Sequence, residues 1–211
     1  MKKTSFIGIL CAFTLLGFTN VTFASTHIEG KQYNVIREEI KNAPDVVEFF
    51  SFYCPPCAAF SISYNINNEI EKRLPKGSQF VKYHVSTMGD LGRSLTEAWS
   101  IAYVLGVQKE VEEPLFSGIQ TKRNIKTEDD IRQVFIDSGI SADQYDSAKN
   151  SIAVRAYTAT QIKAADEYNV ISTPSFYISG KYKINNNEIQ SNNLEEYIDE
   201  FSMLINKLLK K

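Results

Sequence analysis

Two cysteines separated by two prolines, Cys54-Pro55-Pro56-Cys57, are the residues of this 211-residue chain best suited to chemistry. At that spacing two sulfurs can join and part. A cysteine at the start of a helix faces unpaired N–H groups and the positive end of the helix dipole. Both favour thiolate over thiol, and the thiolate is the reacting species. Cys54, near the expected N-cap, is therefore the expected nucleophile and the more exposed of the two. Cys57, one turn on, is the expected buried resolving thiol. Stabilising the Cys54 thiolate stabilises the reduced pair, which makes the disulfide a stronger oxidant. Pro55 suits a first helical turn, where no N–H is needed, and Pro56 stiffens the loop and offers the sulfur no hydrogen bond.

Other uses of the pair explain less. A zinc site needs about four ligands, whereas beyond this motif stand only His27 and His84, far apart in sequence. A c-type haem attachment needs His at position 58, which is Ala58. A purely structural bridge across two residues closes a very small loop and stabilises less than a long-range crosslink in the chain-entropy model. No metal and no bound cofactor are expected.

Two further features accompany the cysteines. Glu48 interrupts the apolar run Val46-Val47-Glu48-Phe49-Phe50. It is either an edge position reaching water or a semi-buried carboxylate beneath the cysteines. In the second case desolvation raises its pKa and suits it to relaying a proton from Cys57, with Lys82 of the next expected strand as partner. Thr173-Pro174 opens a later strand-like segment; on its own it says little.

These residues need elements to position them. Gln32 to Ile36 reads as a short strand, and Asp45 to Tyr53 as a buried central strand rich in β-branched and aromatic residues. A helix is expected from the cysteines to Leu74, stopped by Pro75-Lys76-Gly77, followed by a strand over Gln79 to Val85. From about Ser86 to Val170 the pattern turns helical, with Leu91, Leu95, Ala98, Trp99 and Ala102 at helix spacing. Thr127 to Asp130 and Ser141 to Gln144 resemble capping boxes, and a long helix is expected over Ala148 to Tyr168. Strand signals return as a hairpin, Ser175 to Ile178 and Lys181 to Ile184, around a two-residue Ser179-Gly180 turn. The last helix, from about Leu194, carries an apolar stripe from Leu194 and Tyr197 to Leu208. The order is β, β, α, β, a helical block, then β, β, α.

Composition sets the outer limits. With 43% hydrophobic and 23% charged residues the chain is globular, and a net charge of −2 without long like-charge runs argues against nucleic-acid binding. Residues 1–24 read as a secretory signal peptide: basic Lys2-Lys3, a 13-residue apolar stretch from Phe6 to Phe18, and small Thr22 and Ala24 before the cleavage point. That stretch falls short of the roughly 20 residues a spanning helix needs. Cleavage removes Cys11 and takes the charge to −4, leaving 187 residues and only the Cys54–Cys57 pair. An exported chain meets an oxidising compartment.

Taken together, these segments resemble the DsbA family of periplasmic thiol:disulfide oxidoreductases. Phe49 to Cys57 is similar to that family's active-site strand and motif. Lys82-Tyr83-His84-Val85, Met88 to Gly92, Val111 to Gly118 and Gly180-Lys181-Tyr182 are similar to further family segments, in the same order. The resemblance implies an α/β thioredoxin fold with an inserted all-helical domain: 25–85 and 171–211 form the thioredoxin domain, and 86–170 the insertion. It implies that Cys54 is the nucleophile and Cys57 its partner. It also implies that Pro174 is a cis-proline beside them, that Thr173 pairs with an extended client strand, and that Glu48 and Lys82 form a buried acid–lysine pair. Reduced exported proteins are the implied substrates, and a DsbB-type, quinone-linked inner-membrane protein the implied re-oxidant. The chain departs from the best-known members at Pro56, where they carry His, at Thr87, where an aromatic is common, and in the polar run Asn185-Asn186-Asn187-Glu188. Those departures imply a weaker oxidant and a specialised client set.

Two other readings compete with disulfide donation. One reverses direction: a disulfide reductase or isomerase held reduced. Isomerases of this compartment carry an added dimerisation domain, and none precedes Gln32, so a monomer is expected. The other is a peptide-binding chaperone with a vestigial CxxC, which predicts that Cys54→Ala keeps all function.

Overall fold

Five strands form one mixed sheet, and the strand bearing Glu48 lies inside it. The computed structural model describes residues 27–211, so the expected signal peptide lies outside the described residues. The strands are β1 (Tyr33–Val35), β2 (Val46–Phe50), β3 (Phe80–His84), β4 (Ser175–Ile178) and β5 (Tyr182–Ile184), in the order β1-β5-β4-β2-β3. Only β2 and β3 run parallel. Their register sets Glu48 directly opposite Lys82. β2 is buried along its whole length, as an apolar strand covered on both faces must be.

Side-chain alternation sends β2 residues to both faces of the sheet. Val47 and Phe49 pack with Tyr83, Tyr177, Ala164 and Tyr168, beneath α7 (Ile152–Glu167). Val46 packs on the other face, with Phe176, Ile178 and the buried stripe Ile198, Phe201, Leu204, Ile205 and Leu208 of α8 (Leu194–Leu208). Leu194 departs from the expected stripe and is exposed, because it follows the capping Asn193, one turn before the helix meets the sheet.

The helix expected from the cysteines to Leu74 is three pieces. α1 (Pro55–Ala58) passes into a π-turn over Ala59–Ser63; Tyr64 ends it, and α2 (Ile66–Arg73) starts afresh. Asn65 makes the break in left-handed conformation, φ 52°, which short polar Asn tolerates better than most residues. The break turns Asn67 and Ile70 inward, where both are buried. The helix expected over Ala148 to Tyr168 is also split. α6 (Ala142–Lys149) ends where the Asn150 side chain bonds back to the Asp146 carbonyl, and Ser151 caps α7 through the Val154 N–H.

Between β3 and β4 lie α3 (Gly92–Leu105), α4 (Gln108–Phe116) with a following π-turn (Ser117–Thr121), α5 (Glu128–Asp137), α6 and α7. Both expected capping boxes form, and Asp130 reaches back to the Thr127 N–H despite its short side chain. The β4–β5 loop has three residues rather than the expected two, since Ile178 pairs with Tyr182. Ser179 and Gly180 both take positive φ, and Lys181 is the extra residue. A Cβ on Gly180 would run into the Ile40 carbonyl, so the position excludes larger residues. One buried cluster joins Phe50, Phe52, Cys54 and Cys57 to Leu95, Trp99, Val111 and Leu115. The helical block therefore packs against the motif itself.

Candidate active site

The motif sits where β2 ends. After Phe50 the chain turns through Ser51 to Tyr53, and Cys54 becomes the N-cap of α1. The Ser51 carbonyl accepts the Cys54 N–H at 3.0 Å, and the Ser51 hydroxyl accepts the Tyr53 N–H at 3.2 Å. His84 Nε2 accepts the Phe52 N–H at 3.1 Å. From the helical block, Gln120 Nε2 donates to the Phe52 and Cys54 carbonyls, at 2.8 and 3.1 Å. Each polar backbone group named here has a partner, so the turn is held from three directions.

The two sulfurs differ in surroundings. Cys54 is 3% exposed and Cys57 is fully buried, so the expected order of exposure holds by a narrow margin. Pro55 and Pro56 cover the outer side and are exposed. The Cys57 N–H donates to Cys54 Sγ at 3.2 Å, and Cys54 Sγ lies 3.3 Å from the Thr173 carbonyl. The Cys54 thiol is lowered to about 7, chiefly because the Cys57 thiol donates to its sulfur; burial works the other way. Cys57 is pushed up, first by burial, then by its bond to Cys54 and by the nearby Glu48 charge. Only one of the two thiols is readily ionised.

Thr173-Pro174 lies against Cys54, and its peptide bond is cis. The Thr173 hydroxyl contacts Met88 sulfur at 3.5 Å, and Asn186 Nδ2 donates to the Pro174 carbonyl at 2.9 Å. A groove of about 1090 Å³ opens beside this loop, between Pro56, Phe60 and Tyr64 on one side and Asn186, Asn193 and Leu194 on the other.

Beneath the cysteines, Glu48 is fully buried, which excludes the edge position. Asn67 Nδ2 donates to its Oε2 at 2.8 Å, and Lys82 Nζ lies 3.3 Å from the same oxygen. Burial raises the Glu48 carboxyl, and the pull of Lys82 does not cancel that rise. Lys82 also donates to Ser61 Oγ at 2.7 Å and forms a short ion pair with Glu112. Burial disfavours the ammonium, yet the two carboxylates outweigh it and hold Lys82 above its usual value.

Of the site residues expected from sequence, Thr173 meets Cys54, and Glu48, with Lys82 as its partner, lies on the Cys57 side. Sequence reasoning did not find Asn67, Glu112, Gln120 or a site role for His84, and it had Asn186 only as part of a polar run, not as a partner of Pro174. Asn67 had a signal: a polar residue between Ile66 and Ile70, at a helix position that faces the core. His84 had one too, sharing a strand face with Lys82 two residues before it. Glu112 and Gln120 come from distant segments and carried none.

Comparison with known proteins agrees with this geometry. The DSBA-like thioredoxin domain family matches residues 45–199. The thiol:disulfide interchange protein DsbA of Escherichia coli K12 is 39% identical over 212 residues, covering all of both chains. Proteus mirabilis DsbA, solved in a cysteine-to-serine form with a non-covalently bound peptide, superposes with a TM-score of 0.87 at 41% identity, covering 89% of this chain and 100% of that one. SrgA of Salmonella enterica serovar Typhimurium gives 0.80 at 40% identity, covering 84% and 99%. With the family matched across most of its length and relatives similar end to end, the chain belongs to the DsbA family of thiol:disulfide oxidoreductases.

Proposed function

We propose that this protein is a periplasmic disulfide donor that acts through Cys54. The observation that carries the reading is the asymmetry of the two sulfurs: Cys54 is lowered to about 7 and Cys57 is buried and raised. A client thiolate attacks the Cys54 sulfur of the oxidised pair. The Cys54–Cys57 bond breaks, and Cys57 leaves with the electron pair and takes up a proton. A second client thiolate then attacks the client sulfur of the mixed disulfide, and Cys54 departs as a thiolate. The client loses two electrons and two protons, and the enzyme pair is left reduced. Glu48, paired with Lys82, supplies the proton to Cys57.

Thr173 and Pro174 form the edge on which an extended client segment aligns by backbone pairing. The peptide-bound Proteus mirabilis relative supports protein clients as substrates. Export by the residue 1–24 signal peptide accords with the periplasmic assignment, and no helix among the described residues is long and apolar enough to cross a membrane. Re-oxidation falls to a DsbB-type, quinone-linked membrane protein, and the enzyme works as a monomer. The exposed Pro55-Pro56 pair gives Cys54 no hydrogen bond, and Asn186 makes the adjoining groove polar; both favour a narrow client set.

The deciding experiment is the equilibrium potential of Cys54–Cys57 in glutathione buffers, with thiols read after acid quenching. About 30 mV corresponds to a tenfold change in the equilibrium constant of this two-electron couple. A potential well above the glutathione poise is expected. One at or below that of thioredoxin would replace the donor reading with the reductase.

A further inference from the structure

One ammonium group serves two carboxylates beside the cysteines. Lys82 from β3 directs its three N–H groups at Glu48, Ser61 and Glu112. Of the two ion pairs, that with Glu112 is the closer. The two carboxylates differ in access. Glu48 is fully buried, and its Oε1 has no hydrogen-bond partner. Glu112, on α4, retains some exposure and lines a cleft of about 460 Å³ together with Lys82, Asn67 and Ser61. That cleft opens between α2 and α4 and shares no lining residue with the groove beside Thr173-Pro174.

One positive charge cannot neutralise two carboxylates. With Lys82 closest to Glu112, Glu48 is left buried with a half-shared cation, a state that favours keeping a proton. The other charged groups lining the cleft are Glu71 from α2 and Lys109 and Glu113 from α4. None forms an ion pair with Lys82 among the described residues. Resting on the donor function proposed above, we infer that Glu112 is a positioning residue for exchange: by holding Lys82 it keeps Glu48 protonated, and it marks the solvent-side end of the path by which Glu48 regains its proton. When the Cys54–Cys57 bond breaks, Glu48 gives its proton to the Cys57 sulfur. Lys82 then swings its charge from Glu112 to the new Glu48 carboxylate. A proton from water in the cleft restores Glu48 and returns Lys82 to Glu112. One proton leaves and one enters, and no electrons travel this route. The direction of the Glu48 shift agrees, with burial as the largest cause and Glu112 adding to it.

The test uses the oxidised protein and a reduced model peptide, in single turnovers between about pH 4 and about pH 8, the span over which a raised carboxyl titrates. Glu112→Gln is expected to move the Glu48 inflection down by about one pH unit, with a roughly tenfold slower exchange above it. Glu112→Asp, which keeps the charge, should restore most of the shift. The Cys54 thiolate titration should move far less than the Glu48 inflection in all three proteins, since Glu48 is the smallest of the causes acting on Cys54. The reduced-minus-oxidised infrared difference spectrum gives a second readout: the protonated-carboxyl band that Glu48→Gln removes should weaken in Glu112→Gln at neutral pH. An unchanged inflection and an unchanged band in Glu112→Gln would overturn the inference while leaving disulfide donation intact. Failure of the unaltered oxidised protein to pass its disulfide to the peptide would instead sink the donor function, and this inference with it.

Discussion

The two sides of the Cys54–Cys57 pair are built on opposite principles. On the outer side, Cys54 meets backbone groups: the Cys57 N–H, the Thr173 carbonyl and the cis Thr173-Pro174 loop beside an open groove. On the inner side, Cys57 is buried near the Glu48 carboxylate, which Lys82 joins to Glu112 at the edge of a second cleft. The outer sulfur is lowered by hydrogen bonds and the inner one raised by burial and a nearby carboxylate. A disulfide donor needs both, since the outer sulfur must leave the mixed disulfide as a stable thiolate and the inner one, released in the first step, must be quickly reprotonated.

The sharpest way to break this contrast is to remove one sulfur at a time. Cys54→Ser should lose exchange completely. Cys57→Ser, offered a client that already carries a disulfide, should instead accumulate mixed disulfides visible on non-reducing gels: its Cys54 thiolate opens the client's S–S bond, the released client thiolate leaves, and no Cys57 is there to resolve the new bond. Equal behaviour of the two variants would show that the sulfurs are not specialised.

A middle-sized effect is expected at His84, which anchors the inner side. Its Nε2 accepts the Phe52 N–H, and its Nδ1 bonds to Thr96 Oγ1 at 2.8 Å, so the ring must be neutral. Burial lowers its pKa to about 3. Below the unfolded value of 6.5 the unfolded chain binds a proton that the folded one refuses, so stability falls as pH drops from there toward 3. The slope from this group is about 1.4 kcal/mol per pH unit. His84→Leu should lose that slope and cost about 1–3 kcal/mol at neutral pH, because the buried Phe52 N–H is left unpaired, while the Thr96 hydroxyl keeps its bond to the Gly92 carbonyl. Urea denaturation across pH reads both quantities; an unchanged slope would show that His84 is already charged in the fold.

The smallest effect belongs to the outer side. Asn186→Ala removes the bond to the Pro174 carbonyl and should cost about 0.5–1.5 kcal/mol by urea denaturation. The thiolate absorbance of Cys54 should still titrate near 7. A displaced midpoint would mean that the groove wall, and not only the Cys57 contacts, sets the nucleophile.

How much of this could be read before folding depends on how far apart the cooperating residues lie in the chain. The strand, the cysteine pair and the start of α1 are local, and local rules place them: apolar β-branched residues, then a cap, then Pro at the first turn. Capping boxes at Thr127 and Ser141 are equally local. The π-turn after Ala58 was not legible, because nothing in the Ala59–Ser63 segment contradicts an ordinary helix. The three-residue β4–β5 loop was missed because its length follows from strand register.

The sequence by itself determined which atoms are available for chemistry. It carried two sulfurs at a spacing that lets them join, a carboxylate in an apolar strand, a lysine in the next one and a proline opening a third. Tertiary structure decided what those atoms are worth. Register set Lys82 opposite Glu48, the break at Asn65 brought in Asn67, and the packing of α4 delivered Glu112 to the same ammonium. The reason is physical. Bond-forming capacity belongs to the residue type, whereas proton affinity depends on burial and on the charges within a few ångströms, which only the folded chain arranges.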